Sequence, residues 1–494
     1  MPVVRLAEKQ APAALPSLPA ILALSVALLT SGCGGGSSGG SGGGTTPPPP
    51  PSTANEWTWM SGSSTAGAQG VYGTLGVASS SNVPGARSGA VSWIDGSGNL
   101  WLFGGSGGAG DPAGDLNDLW EFNPSSKEWT WVSGSNTGNT YGAFSESGVY
   151  GTQGVASANN VPPPRDSAVS WTDSSGNLWL FGGEGFTSGT ANGMFNDLWE
   201  FNTTTKEWTW VSGSNTTESA GDYGTQGVPA PGNSPSARGS SGGGNALGWI
   251  ESGGNLWLFG GDSGDDLWEF NTSIKEWTWV RGSSTGGIAD YGTKGVASST
   301  NTPGSRNYSV GWTDKSGNFW LYGGESTGAN NDLSDLWKFS PATNEWTWIN
   351  GSDSGSVVPV YGSVGVAAAS NTPGGRDSAV SWIDSSGNLW LFGGFDYDSS
   401  TGANGTNQIL NDLWEFSPIT KEWTWVGGSN TGEARGVYGT LGTASASNVP
   451  GARGSQGIAV TWTDKSGNFW LFGGIGYDSA GTWGSLNDLW IFQP

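Results

Sequence analysis

The sequence predicts an all-β protein, a six-bladed β-propeller with four antiparallel strands in each blade. Three observations predict it. A Trp-Leu-Phe-Gly-Gly string, or a close variant, recurs six times, ending at Gly105, Gly183, Gly261, Gly324, Gly394 and Gly474. Each repeat holds four short segments rich in Trp, Val, Phe and Thr, bounded by Gly, Asn, Ser and Pro, and none of them follows a helical period. The repeat is also out of phase with the chain: an isolated Glu56-Trp57-Thr58-Trp59 precedes the first unit, and the last unit stops at Trp490-Ile491-Phe492 without its fourth segment.

In the second unit the four strands are expected over 168–173, 178–182, 197–202 and 207–211. An Asp-x-Ser-Gly-Asn segment joins the first two, with glycine supplying the positive φ of a tight turn. Both faces of Leu-Trp-Leu-Phe are apolar, so the second strand must be covered on both sides. A four-stranded sheet buried on both faces needs another sheet against each of them. Meeting that need six times and returning to the start gives a propeller. The spare N-terminal strand then completes the last blade and removes two exposed edges.

Further residues recur in register. A Glu-Trp-Thr-Trp block starts at Glu56, Glu128, Glu207, Glu276, Glu345 and Glu422. An arginine opens each unit, at Arg87, Arg165, Arg238, Arg306, Arg376 and Arg453, and an aspartate precedes the third strand, at Asp118, Asp197, Asp266, Asp335, Asp412 and Asp488. These features resemble the kelch-repeat family, which includes the central propeller of galactose oxidase. The double glycine after strand two, the Asn-Asp-x-aromatic-x-Phe segment, the later Trp and the Arg before strand one carry the resemblance across 55–494. The units depart from it in length, because the stretch before each arginine is long. That stretch has its own signature, Tyr-Gly-Thr-x-Gly-Val, at Tyr72, Tyr150, Tyr223 and Tyr291, with variants at Tyr361 and Tyr438.

Composition limits the chemistry. The 494 residues include 31 Trp, one Cys and no His, with a formal charge of −23. No imidazole triad or imidazole-bound metal is possible, and a single Cys excludes an internal disulfide. Galactose oxidase activity, which the resemblance implies to need His-bound copper and a Cys-linked Tyr, is excluded. The acidic balance disfavours nucleic acid as a partner. No cofactor and no resident metal are expected.

The first fifty residues read as an address. Arg5 and Lys9 precede an apolar run too short to span a bilayer comfortably. It ends Leu29-Thr30-Ser31-Gly32-Cys33, which resembles the bacterial lipoprotein signal despite Thr30 in place of the commoner Leu. The resemblance implies a signal peptide over 1–33, lipidation of Cys33, and an exported protein anchored by lipid to the cell envelope, at the outer membrane or cell surface. Residues 34–54 are a Gly/Ser/Pro-rich tether, flexible and then stiffly extended.

Loops alternate between the two ends of the strands. The first-to-second and third-to-fourth turns are short and uniform. The second-to-third loops share the opposite face with the long fourth-to-first connections, and they vary in length, so that face is the expected binding face. Candidate ligand contacts there are Phe186, Phe195, Phe395, Tyr397, Tyr477 and Trp483, beside Asp396, Asp398 and Asp478. Aromatic rings next to carboxylates suit a sugar, and suit a protein hot spot equally; packing of the loops is the competing role. Asp396 and Asp398 alone are too few for a calcium loop. The six arginines either ring the axis as an anion site or pair with the repeated aspartates, fixing blade to blade. One Arg and one Asp per unit favours pairing. A catalytic residue should break the repeat. The unit-specific carboxylates Glu146, Glu184, Glu218, Asp262, Glu325 and Glu433 form no evident set, and Glu251 replaces the turn Asp on the short-turn face. The expected function is a tethered, non-catalytic module for a glycan or protein. A carbohydrate-active enzyme using carboxylates on the long-loop face, and a structural envelope protein, are the alternatives.

Overall fold

The computed structural model describes residues 54–107, 114–138, 148–186, 192–239, 245–261, 264–283, 285–326, 332–355, 357–396, 408–454 and 458–494. Cys33 and the tether lie outside the described residues. Those described form an all-β structure without helices, built on small antiparallel four-stranded sheets, an arrangement that fits a propeller.

Six four-stranded sheets are present. Sheet one comprises Val91–Ile94, Leu100–Phe103, Leu119–Asn123 and Glu128–Ser133. Sheet two comprises Val169–Thr172, Leu178–Phe181, Leu198–Asn202 and Glu207–Ser212. Sheet three comprises Leu247–Ile250, Leu256–Phe259, Leu267–Asn271 and Glu276–Arg281. Sheet four comprises Val310–Thr313, Phe319–Tyr322, Leu336–Ser340 and Glu345–Asn350. Sheet five comprises Val380–Ile383, Leu389–Asp396, Gln408–Ser417 and Glu422–Gly427. Sheet six comprises Val460–Thr463, Phe469–Phe472 and Leu489–Gln493, and its fourth strand is Glu56–Ser61 from the start of the domain. Glu56 pairs with Gln493 and Trp57 with Phe492.

The first four residues of the second strand of every sheet are buried, as its two apolar faces require. Each apolar cluster lies between two sheets. Trp93, Trp101 and Phe103 of sheet one meet Leu178, Leu180 and Phe201 of sheet two. Trp462, Trp470 and Phe472 of sheet six meet Leu100, Leu102 and Phe122 of sheet one. The last tryptophan of each first strand also donates its Nε1 to a tryptophan carbonyl in the next sheet, from Trp93 to Trp179 at 2.9 Å and onward through Trp171, Trp249, Trp312 and Trp382. The first strands lie against one another, and a cavity of about 280 Å³ is lined by Ser92, Ser170, Gly248, Gly311 and Thr461 at their centre.

The long fourth-to-first connections have a structural use that length alone did not reveal. Each runs along the outer strand of the sheet it leads into. Gly76 N donates to Trp131 O, and Ser79 N with Asn82 Nδ2 to Trp129 O. Asn160, Asn233, Asn301, Asn371 and Asn448 repeat the bond. Carbonyls of an otherwise open edge strand are thereby satisfied.

Candidate functional site

The arginines turn inward to carboxylates. Arg87 Nη1 and Nη2 donate to Asp118 Oδ1 and Oδ2 at 2.7 and 2.8 Å, in a planar two-point contact. Arg165–Asp197, Arg238–Asp266, Arg306–Asp335, Arg376–Asp412 and Arg453–Asp488 repeat it at 2.6 to 3.1 Å, every side chain at most 2% exposed. Each aspartate also accepts from the tryptophan two residues on and from the signature tyrosine of its connection. Asp118 Oδ2, for example, takes Trp120 Nε1 and the Tyr72 hydroxyl, both at 2.7 Å. Burial and the Asp118 charge push that hydroxyl far above the ordinary tyrosine range, so it stays a donor. The signature tyrosines thus complete a buried Arg-Asp-Tyr-Trp cluster, and the six repeat guanidinium groups are paired with carboxylates.

One part of the expectation is corrected. The side-chain pair lies within one unit and does not tie blade to blade. The arginine backbone does that: Arg165 N donates to Leu116 O at 3.0 Å, and Gly105 N donates to Arg165 O at 2.9 Å, both across to the preceding unit. Gly104 sits at φ +65°, and a Cβ there would lie 2.7 Å from Arg165 O. The double glycine is what allows the neighbouring unit so close.

Just beyond these arginines, at the inner ends of the sheets on the long-loop face, carboxyl groups from several units gather. Asp166 follows Arg165 and pairs with Glu184, which follows the double glycine. Asp115 is buried, and burial with the Asp166 and Glu184 charges pushes it up to about 8. From the other units come Asp377, which follows Arg376, and Glu325. Burial and the Glu325 charge push Asp377 up to about 7, against hydrogen bonds from Ser378 and Asp332. Tyr308 feels Asp377, Glu325, Asp166 and Glu184 together, and burial with those charges pushes it up to about 12. Ser167, Tyr308 and Ser378 each hold a left-handed backbone, at φ 55°, 56° and 52°. Such conformations cost ~1–3 kcal/mol in a non-glycine residue and concentrate at functional sites. Glu184 and Glu325 therefore belong to a set, although they share no position with Asp115. The signal was in the sequence: they take the place after the double glycine, as Asp166 and Asp377 take the place after the arginine.

The aromatic candidates part company. Phe195 is fully buried beneath the Arg165 guanidinium, 4.2 Å from its ring centre, at the place where other units carry Leu116, Leu333, Leu410 and Leu486; it is packing and offers no surface to a ligand. Phe186 is buried at 8% exposure. Phe395 is half-buried in a strand, next to buried Asp396. Tyr397 and Asp398 lie outside the described residues, as do Glu146 and Asp262. Tyr477 and Trp483 face one another across the hairpin Ile475–Tyr477/Trp483–Ser485, with ring centres 5.2 Å apart. Trp483 is 42% exposed, and burial with the nearby Glu433 charge pushes the Tyr477 hydroxyl above the ordinary tyrosine range. Asp478 closes this hairpin: its carboxylate accepts from the backbone of Ala480 and Thr482 at 2.8 Å and of Ala66 at 3.0 Å. Those bonds outweigh its burial and hold it below the usual carboxylate range.

The long-loop face thus offers a carboxyl-lined inner region and, on the last unit, a wet aromatic pair beside Glu433. The first can accept hydroxyl or ammonium donors; the second can cover an apolar ring face. Among the described residues, no group of three metal-ligating side chains is placed to hold an ion. No protein-family model matches this chain, and no curated protein does.

Proposed function

We propose that this chain is a closed, six-bladed propeller of kelch type, lipid-anchored through Cys33 at the cell envelope, that binds a glycan through its long-loop face. The tryptophan relay from sheet to sheet and the pairing of Trp57 with Phe492 support the closed ring. The gathering of Asp115, Asp166, Glu184, Glu325 and Asp377 carries the functional reading. Carboxyl oxygens from different units suit the many hydroxyls of a sugar, and the Tyr477–Trp483 pair suits its C–H face. The same charges repel an anionic ligand, so the glycan is neutral or carries amines. A protein ligand uses the same face in the competing version of this reading.

A second reading has one observation in its favour. A carboxyl that keeps its proton to near neutral pH beside a second carboxyl is the pattern of general acid and base. Asp377 with Glu325, or Asp115 with Glu184, would supply it in a carbohydrate-active enzyme. A screen of neutral, amino and acidic oligosaccharides against the full chain tests both. Retention of neutral or amino glycans, reduced by Trp483→Ala and by Asp377→Asn, supports the binding module. Turnover of an oligosaccharide lost in Asp377→Asn supports the enzyme. Retention of acidic glycans alone counts against both. Metabolic labelling with palmitate, lost in Cys33→Ser, tests the anchor.

A further inference from the structure

The opposite face, with its short uniform turns, holds a second feature. At two junctions a lysine of one sheet covers a tryptophan of the sheet before it. Lys206 Nζ lies 4.3 Å from the Trp101 ring centre and 3.4 Å from Glu121 Oε2. Lys275 repeats the arrangement, 4.4 Å from Trp179 and 3.2 Å from Glu200 Oε2. The other carboxylate oxygen is held by an asparagine, Asn99 or Asn177. The protein thus shows how it seats an alkylammonium group: stem and charge over an indole face, with a carboxylate alongside.

Between sheets three and four the receiving half is intact. Trp257 and Glu269 stand where Trp101 and Glu121 do, and Asn255 Nδ2 holds Glu269 Oε1 at 2.6 Å. The covering lysine is replaced by Asn344, in the same turn with the same left-handed backbone, φ 56° against 61° at Lys206. Its shorter side chain leaves a cavity of about 530 Å³, lined by Trp257, Glu269, Glu251, Asn318 and Asn344. Glu251 stands where the other units carry the turn aspartate. Asp95 spends its carboxylate on Ser97 N, Asn99 N and Trp101 Nε1, whereas Glu251 receives Trp257 Nε1 alone, at 3.3 Å. Asn55 makes the same exchange opposite Glu415, but there Asp384 keeps the turn, bonded to Asn388 and Trp390. No salt bridge among the described residues engages Glu251 or Glu269.

We propose that this cavity is a receptor for a primary alkylammonium group, from a lysine side chain or a free aliphatic amine, held over Trp257 between the Glu251 and Glu269 carboxylates. It is independent of the glycan reading, being on the other face and built from other residues.

Calorimetric titration of the full chain at low salt tests it, with Nα-acetyl-lysine methylamide in one arm and n-pentylamine in the other. Saturable binding is expected, weakened at least tenfold in Asn344→Lys, which supplies the covering ammonium from within, and in Glu269→Gln, which keeps the shape and removes the charge. Tighter binding of the lysine derivative assigns the receptor to polypeptide lysine, and tighter binding of pentylamine to a free amine. No saturable binding of either probe overturns the proposal. So does binding that persists unchanged in either variant with a wild-type circular dichroism spectrum.

Discussion

Trp462 Nε1 donates to the carbonyl of Trp101 at 3.2 Å, joining the last sheet to the first. It repeats the bond that each earlier sheet makes to its successor, so the relay ends where it began. Indole N–H groups in a core need an acceptor, and here the neighbouring sheet supplies it.

Trp57 secures the junction before it, packing on Trp382 and Phe392 of sheet five and on Trp490 and Phe492 of sheet six. Trp57→Ala should cost about 3–5 kcal/mol of unfolding free energy, as for other large core truncations. Trp483→Ala should change stability by less than ~0.5 kcal/mol, as at exposed positions. Guanidinium unfolding curves of the two variants check the contrast.

Arg165→Met leaves the Asp197 carboxylate buried and uncompensated, with Tyr150 and Trp199 still donating to it. A loss of about 3–5 kcal/mol is expected, with little dependence on salt because the cluster is out of water. Chemical unfolding at low and high sodium chloride measures both.

Asp115 and Asp377 make a pH prediction whose sign is opposite to that of a salt-bridged carboxylate. An unfolded aspartate releases its proton near pH 4. Folded Asp115 keeps it to about pH 8 and Asp377 to about pH 7. The unfolded chain therefore binds fewer protons across that window, and stability falls as pH rises through it, levelling off above. Asp115→Asn should flatten the fall and be more stable than the wild type at pH 8 by ~1 kcal/mol or more. Unfolding midpoints at pH 5, 6.5 and 8 decide the matter.

Lys206→Met removes a half-exposed ion pair and a cation–π contact while keeping the aliphatic stem. The expected cost is below about 1 kcal/mol, seen as a small shift in the unfolding midpoint.

How much of this was legible in the sequence depends on distance along the chain and on repetition. The strands of the second unit were legible to within a residue or two because turn residues and apolar pairs sit side by side. The Arg–Asp pairing was legible by count, one of each per unit. The part played by Tyr72 was not, since Asp118 is remote in sequence and nothing local links them. Phe195, expected as a ligand contact, stands in the place of the leucine of the other units, the signal that marked it as core. The inner carboxyl groups escaped because they occupy three register positions: Asp115 before the third strand, Glu184 and Glu325 after the double glycine, Asp166 and Asp377 after the arginine. Only folding superimposes them.

The pairing of Glu56–Ser61 with Leu489–Gln493 has a consequence for biosynthesis. The strand made first must wait, unpartnered, while every other strand of the domain leaves the ribosome. Contacts so far apart in sequence make this pairing a late and slow event. Until then sheet six lacks both its third and fourth strands, and a nascent chain arrested before Leu489 would expose the edge of Phe469–Phe472 to chaperones and proteases.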